Sequence, residues 1–151
     1  MAGPNTGAEC KLYYNTGTFG SPTWTEIPGA IDVNVAIDAS YADVSSRRSL
    51  WRMESKALQG LTVTFGYRRR QGVSDTVFTA LRGYALARTK FELAVADGAI
   101  ATTGTQYVRG TFQCHMNRDE PLDGAAEDSF EAHLAYEEDS GTMREPAWTV
   151  V

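Results

Sequence analysis

Two long segments of alternating apolar and polar residues lie near the end of the chain, on either side of a turn-rich connection. The apolar positions recur every second residue in residues 107–116 and again in residues 129–137, while the connection, Asn117–Gly124, is acidic. A strand points alternate side chains to opposite faces, so both segments have the pattern of amphipathic strands. The sequence therefore predicts a long closing β-hairpin with an apolar face formed by Val108, Phe112, Cys114, Met116, Phe130, Ala132, Leu134 and Tyr136.

Shorter alternating runs predict four further strands. They lie near Lys11–Asn15, Ile31–Asp38, Leu61–Tyr67 and Phe91–Val95. Between Ala39 and Gln59 no period is sustained, which predicts a long loop. A loop of this length inside a compact domain is usually functional.

One segment has the three-and-four spacing of a short amphipathic helix. Ser74 is the predicted N-cap and Asp75 the predicted first-turn residue. The apolar stripe that would face a core consists of Val77, Phe78, Leu81, Tyr84 and Ala85.

The order of these elements indicates a mostly β protein. We expect a β-sandwich or barrel-like subunit with one short α-helix on its flank, a long loop and the closing hairpin. A length of 151 residues favours a single domain, residues 1–151. Within it we expect residues 1–9 to form a mobile N-terminal arm and residues 140–151 a C-terminal extension.

Charge and composition narrow the function. The net charge of −5 argues against a protein that grips phosphates or reads base sequence, because such proteins present basic surfaces. Cys10 and Cys114 lack the spacing of metal ligands, and His115 and His133 have no third ligand beside them. No nucleophile elbow or phosphate loop is present, so we expect no enzymatic activity and no cofactor. No apolar run is long enough to cross a bilayer, and we expect a soluble protein made in the cytoplasm.

Three blocks in order give the chain a resemblance to the tail tube proteins of long-tailed bacteriophages. The first runs from Asp43–Arg47 through Trp51 and Arg52 into Leu58–Phe65. The second joins Phe78–Arg82 to Phe91–Gly98, and the third joins Val108–Phe112 to Asn117–Gly124. The resemblance extends from Trp24 to Glu138. The chain departs from the family in the tail Ser140–Val151, which includes Trp148.

The resemblance implies a structural virion protein in the phage tail. Its subunits would close into hexameric rings, and the rings would stack into a hollow tube through which genome DNA passes. The expected partners are other copies of the chain, a tail-tip or initiator complex, a tape-measure protein and a tail terminator. DNA would pass through without specific binding, and no membrane would be involved. The long loop is then a candidate contact between subunits.

The two implied roles, assembly with other subunits and passage of DNA, each indicate candidate residues. The loop residues expected at a ring or stack interface are Arg47, Arg48, Leu50, Trp51, Arg52 and Met53, since exposed aromatic residues beside arginine are typical interface anchors. Acidic partners for this loop are Glu138 and Asp139, next to Glu137. An acidic lining would let DNA slide, and the candidates for the lumen or an interface are Asp119, Glu120, Asp123, Glu127, Asp128, Glu131 and Glu137. Arg109 and Arg118 on the same hairpin are expected to form salt bridges.

Two other readings remain open from the sequence. One is a monomeric β-sandwich binding module that recognises glycans through Trp24, Trp51 and Trp148. The other keeps the tube but places it in a phage-derived gene-transfer or injection particle. Arg68–Arg70 is interpreted as a subunit contact or a solvated strand end, because a run of three residues without interleaved aromatics does not make a nucleic-acid site.

Overall fold

A computed structural model of the protein describes residues 3–4, 6–70, 75–124 and 126–151. Ten strands and one helix are present in these ranges. Their bounds are β1 Lys11–Asn15, β2 Trp24–Glu26, β3 Ala30–Asp43, β4 Glu54–Arg68, α1 Thr76–Ala87, β5 Phe91–Ala96, β6 Gln106–Asp119, β7 Glu127–Leu134, β8 Glu138–Asp139, β9 Thr142–Met143 and β10 Ala147–Val150.

One antiparallel sheet contains most of the chain. Its strand order is β2-β1-β5-β6-β7-β4-β3, and β10 pairs with the start of β6. Strand β6 is long enough to pair with β5 over its first half and with β7 over its second. The predicted mostly β fold with one short helix is confirmed.

The core lies between one face of this sheet and the helix. Cross-strand rows such as Val35–Val63–Ala132–Cys114 show how apolar residues of four strands come to share that face. The Phe65 and Phe130 rings stack 5.1 Å apart, and Tyr84 of the helix stacks on Phe91 at 4.7 Å. Both arms of the closing hairpin contribute their predicted apolar residues to this core, except Tyr136, which lies beyond the end of β7 and is exposed.

The helix begins one residue later than the sequence suggested. Asp75 is the N-cap, and its Oδ1 accepts a hydrogen bond from the Phe78 amide at 3.1 Å. Ser74, the predicted cap, lies outside the described residues. Asp75 also accepts a hydrogen bond from the buried Tyr67 hydroxyl, which ties the start of the helix to β4.

The predicted loop Ala39–Gln59 is wrong in extent. Strand β3 continues to Asp43 and β4 already begins at Glu54, so only residues 44–53 connect them. The pairing of β3 with β4 shifts register between Ile31 and Asn34 and again between Ala39 and Tyr41, and it continues past both irregularities. Because both faces of this outer segment are exposed, its sequence has no apolar alternation to reveal the strands.

The end of the chain belongs to the sheet. Strand β10 pairs with Gln106–Arg109 of β6, and the last amide, that of Val151, donates to the Thr105 carbonyl at 2.9 Å. The sequence left the place of residues 140–151 open, and the pairing shows that they dock on their own subunit. The proposed mobility of residues 1–9 stays a prediction.

Candidate functional site

The face of the sheet opposite the core is polar across four strands, β3, β4, β7 and β6. Two adjacent rows define it, Asn34–Thr64–Glu131–His115 and Ala36–Thr62–His133–Gln113. Both rows alternate with core rows, so the helix cannot cover this side. We call this surface the polar face.

Most of the charge on the polar face is negative, and Arg68, which pairs with Glu127 at the end of β4, is a cation beside it. Asp32, Asp38, Glu127 and Glu131 lie on it, and segments 32–38, 60–66, 113–117 and 127–133 contain no Lys or Arg. Gly60 leaves room for an acid, since a Cβ there would lie 2.5 Å from Asp38 Oδ1, and a Cβ at position 66 would lie even closer to the Glu127 carboxylate. The polar face is therefore an acidic surface built on small and hydroxyl side chains.

Glu131 lies between the two histidines of the chain. Its carboxylate is 2.8 Å from His133 Nε2 and 3.5 Å from His115 Nε2, and the two rings are stacked 5.9 Å apart. In the described ranges no group of three or more His, Cys, Asp or Glu side chains is arranged to hold a metal. The trio is a cluster of polar side chains in contact on the polar face.

Both edges of this four-stranded region lack a strand partner in the described part of the chain. On the outer side, β3 pairs only with β4. On the other side, β5 follows β6 only as far as Phe112, so residues 113–119 have an open edge. Exposed strand edges are templates for pairing with another chain.

The other predicted lining acids are distributed over different environments. Asp119, Glu120 and Asp123 are exposed at the hairpin tip, where Glu120 is 3.0 Å from Arg69. Glu137 is outside the polar face and 3.6 Å from Lys90 Nζ. Of the predicted set, Glu127 and Glu131 lie on the polar face, and Asp119, which pairs with Glu127, lies at its end.

The prediction that Asp128 faces the lumen or an interface needs a correction. Its side chain is 0 % exposed and cannot face a lumen or a neighbour from this position. Its Oδ1 accepts a hydrogen bond from Arg118 Nε at 3.3 Å. Its Oδ2 is 2.7 Å from Arg69 Nε, an ion pair without an aligned hydrogen bond. Asp128 thus joins β7 to the end of β4 and to β6. Arg118 forms the salt bridge expected of it, as does Arg109, whose Nε is 2.6 Å from the buried Glu92.

The loop of residues 44–53 presents apolar side chains to solvent. Leu50 is fully exposed and Trp51 is 79 % exposed, so the loop does not fold back onto the core. Serine hydroxyls fix its backbone: Ser45 Oγ accepts from the Met53 amide at 2.7 Å and Ser49 Oγ accepts from the Trp51 amide at 3.1 Å. Hydrogen bonds from Ser45 also lower the pKa of the Asp43 carboxyl. We call Leu50 and Trp51 the loop tip.

The predicted loop cations differ in their surroundings. Arg52 is 2.8 Å from Glu54 in the same hairpin. Arg47 and Arg48 are exposed, and neither side chain forms an ion pair with any residue that the structure describes.

A groove of about 680 Å³ opens between β4 and β10, on the same side of the sheet as the core. Strand β7 pairs with β4 only over Thr62–Arg68, so the first half of β4 diverges from β10 and leaves the groove between them. We call this surface the apolar groove, and its apolar lining is Ile37, Leu58, Leu61, Val108, Leu134, Tyr136, Met143, Pro146 and Trp148.

Sequence reasoning missed the apolar groove and part of the polar face. Asp32 and Asp38 alternate with apolar residues in β3, a signal that could have placed them on the polar face. The groove had no such signal, because Leu58 and Trp148 come from distant segments. The tryptophans do not share a site: Trp24 contacts Tyr107 with ring centroids 6.1 Å apart, Trp51 lies at the loop tip and Trp148 lines the groove.

No family model matches the sequence, and no curated protein matches it. Solved structures do. The SPP1 tail tube, solved by solid-state NMR and cryo-EM, matches with a TM-score of 0.74 at 10% identity, over 98% of this chain and 80% of that one. The virion of a native gene transfer agent particle contains a chain that matches at 0.70 and 14% identity, covering 97% of this chain and 100% of that one.

A third match is to the tail of an empty gene transfer agent particle with C6 symmetry. Its TM-score is 0.68 at 17% identity, with 98% of this chain and 99% of that chain covered. The chain has the tail tube fold. Within the residues that the structure describes, no helix has the length and hydropathy that a membrane crossing requires.

Proposed function

We propose that this protein is a structural virion subunit that polymerises as stacked rings into a phage-type tail tube. The observation that carries the proposal is the acidic polar face of four strands, bounded by two unpaired edges, on a subunit with the tail tube fold. It supports a tube because a sheet with two open edges is completed by copies of itself.

The ring contact follows from these edges. The outer edge of β3 in one copy pairs with residues 113–119 of β6 in the next, and repetition around an axis closes a barrel. The C6 symmetry of the similar gene transfer agent tail is the basis for proposing six copies. The helix and core occupy the opposite side of the sheet, so the polar face turns to the lumen.

The charge of the polar face suits a conduit for DNA. A lining rich in Lys and Arg would release counterions from the phosphates and hold the duplex, whereas carboxylates repel it weakly. The proposal therefore includes passage of DNA without specific binding and a role that needs neither catalysis nor a cofactor. Tail-tip, tape-measure and terminator proteins are its proposed partners in the virion. A phage and a phage-derived particle are both consistent with this geometry.

Negative-stain electron microscopy of the purified protein over a concentration series tests this function. We expect rings and hollow tubes whose number and length increase with concentration. Single subunits at every concentration, with no ring in any field, would contradict the proposal. A matched sample in denaturant sufficient to unfold the protein controls for aggregates that do not depend on the fold.

A further inference from the structure

The apolar side of the sheet is only partly covered within the subunit. Under the helix it is closed by Phe78 and Leu81, both buried. Beyond the helix the same side continues into the apolar groove, where Leu58 is 81 % exposed and Trp148 is 67 % exposed. A contiguous apolar surface of this kind on a soluble protein marks an interaction site.

The loop tip is an apolar projection of matching chemistry. Leu50 and Trp51 are exposed in their own subunit, and serine hydrogen bonds hold the loop backbone beside them. A rigid loop loses little conformational entropy when it docks, and an exposed Trp flanked by Arg is a frequent interface anchor.

The loop tip cannot reach the groove of its own chain. The groove is lined by Ile37 and Leu58, while the hairpin continues through the pairs Tyr41–Lys56 and Asp43–Glu54 before the loop begins. Four further residues of strand carry the loop about 13 Å beyond Ala39. The paired strands keep the two surfaces apart, so any contact between them joins two copies.

Charge complements the apolar match. Arg47 and Arg48 flank the loop tip, and Glu145 lines the groove. Strand β8 adds Glu138, which is paired with groove residue Met143, and Asp139. The one cation in the groove lining, Arg144, is stacked over Phe19 at 4.3 Å and directed away to that ring. A positive loop thus has an acidic rim to meet.

We propose that the loop tip of one copy inserts into the apolar groove of a second copy, with Arg47 and Arg48 facing Asp139 and Glu145. The inference rests on the proposed tube and assigns its stacking contact. Because β3 and β6 use their edges within a ring, and barrel strands tilt against the axis, the end of the β3–β4 hairpin projects toward the next ring.

Cross-linking tests the docking directly. In a Cys10→Ser background, Trp51→Cys is combined with Leu58→Cys in the groove, or with Leu86→Cys on the helix as the matched control. Leu58 and Leu86 are similarly exposed, at 81 % and 75 %. Treatment of assembled protein with a short bis-maleimide should give a ladder of multimers on a denaturing gel for the Leu58 variant and not for the Leu86 variant.

The outcomes separate the docking from the tube itself. Tubes in the microscope together with no ladder, or with equal ladders from both variants, would overturn the docking and leave the tube function standing. Absence of any ring or tube in wild-type protein would overturn both.

Charge exchange is the second measurement. Arg47→Glu with Arg48→Glu should lower the amount of sedimenting tube about tenfold. A loss of this size is expected when one charge pair across the interface no longer forms. Adding Asp139→Arg with Glu145→Arg should restore it. The control, Arg82→Glu on the helix with Arg88→Glu at its C-cap, should assemble normally. Unchanged tube yield in the Arg47 and Arg48 variant would rule out the charge pairing.

Discussion

The two halves of the sheet's apolar side differ in what covers them. Under the helix, Phe112, Phe130 and Leu81 are almost fully buried by residues of their own chain. Past the end of β7, residues of the same type remain open to solvent around the groove. The sequence uses similar side chains in both places, so burial here is decided by which element lies over the strand.

This contrast indicates which interactions the subunit supplies itself. The covered half provides the free energy that folds a single copy, because burial of apolar area is the main favourable contribution. The open half adds little to that stability and is available for a neighbour. A subunit that folds before it assembles needs this division, and each prediction below tests one side of it.

The largest difference in the free energy of unfolding is expected between substitutions of two leucines, one in each half. Leu81→Ala removes a side chain that is 0 % exposed and should lower the free energy of unfolding by about 2–5 kcal/mol. Leu58→Ala, in the open half, should change it by less than about 0.5 kcal/mol. Urea denaturation of both variants checks this. Equal losses would show that the groove is part of the folding core.

A smaller loss is expected when the buried carboxylate of the hairpin is removed. Asp128→Ala leaves Arg69 and Arg118 with the exposed Glu120 as their shared partner and should cost about 2 kcal/mol. Asp123→Ala, at the exposed hairpin tip, is the control and should be near neutral. If denaturation curves of the two variants coincide, the Asp128 network does not hold β7 to β4.

Ionisation of Cys114 should lower the free energy of unfolding at high pH by about 1 kcal/mol or less. Burial raises the pKa of its thiol from 9.0 to about 11. The neutral thiol is favoured in the folded protein, so stability is complete below pH 9 and declines as the pH rises toward 11. Unfolding measured at pH 8 and pH 10 should show this decline, and Cys114→Ala should reduce it. An identical decline in that variant would assign the effect to other groups.

The polar face should show no stability effect but a change in function. Asp38→Lys with Glu131→Lys should fold within about 0.5 kcal/mol of wild type. Tubes of this variant should retain a short DNA duplex that wild-type tubes release, and salt should abolish the retention. The same exchange at Glu120 and Asp123, beyond the end of β6, is the comparison. Stronger retention by that second variant would place the lining at the hairpin tip.

The sequence predicted the strands with one buried and one polar face, since alternation is visible wherever the faces differ. It could also have placed Asp128 correctly, because this residue has the same parity as Phe130 and Ala132. The outer halves of β3 and β4 were missed because both of their faces are exposed. The groove could not be predicted, since it arises where β7 ends and β10 begins.

A cryo-EM reconstruction of the assembled wild-type tube would test the central claim most directly. The account predicts the polar face toward the lumen, β3 of each copy paired with residues 113–119 of its ring neighbour, and the loop tip in the groove of the adjacent ring. A tube with the helix toward the lumen, or with β3 unpaired, would contradict it.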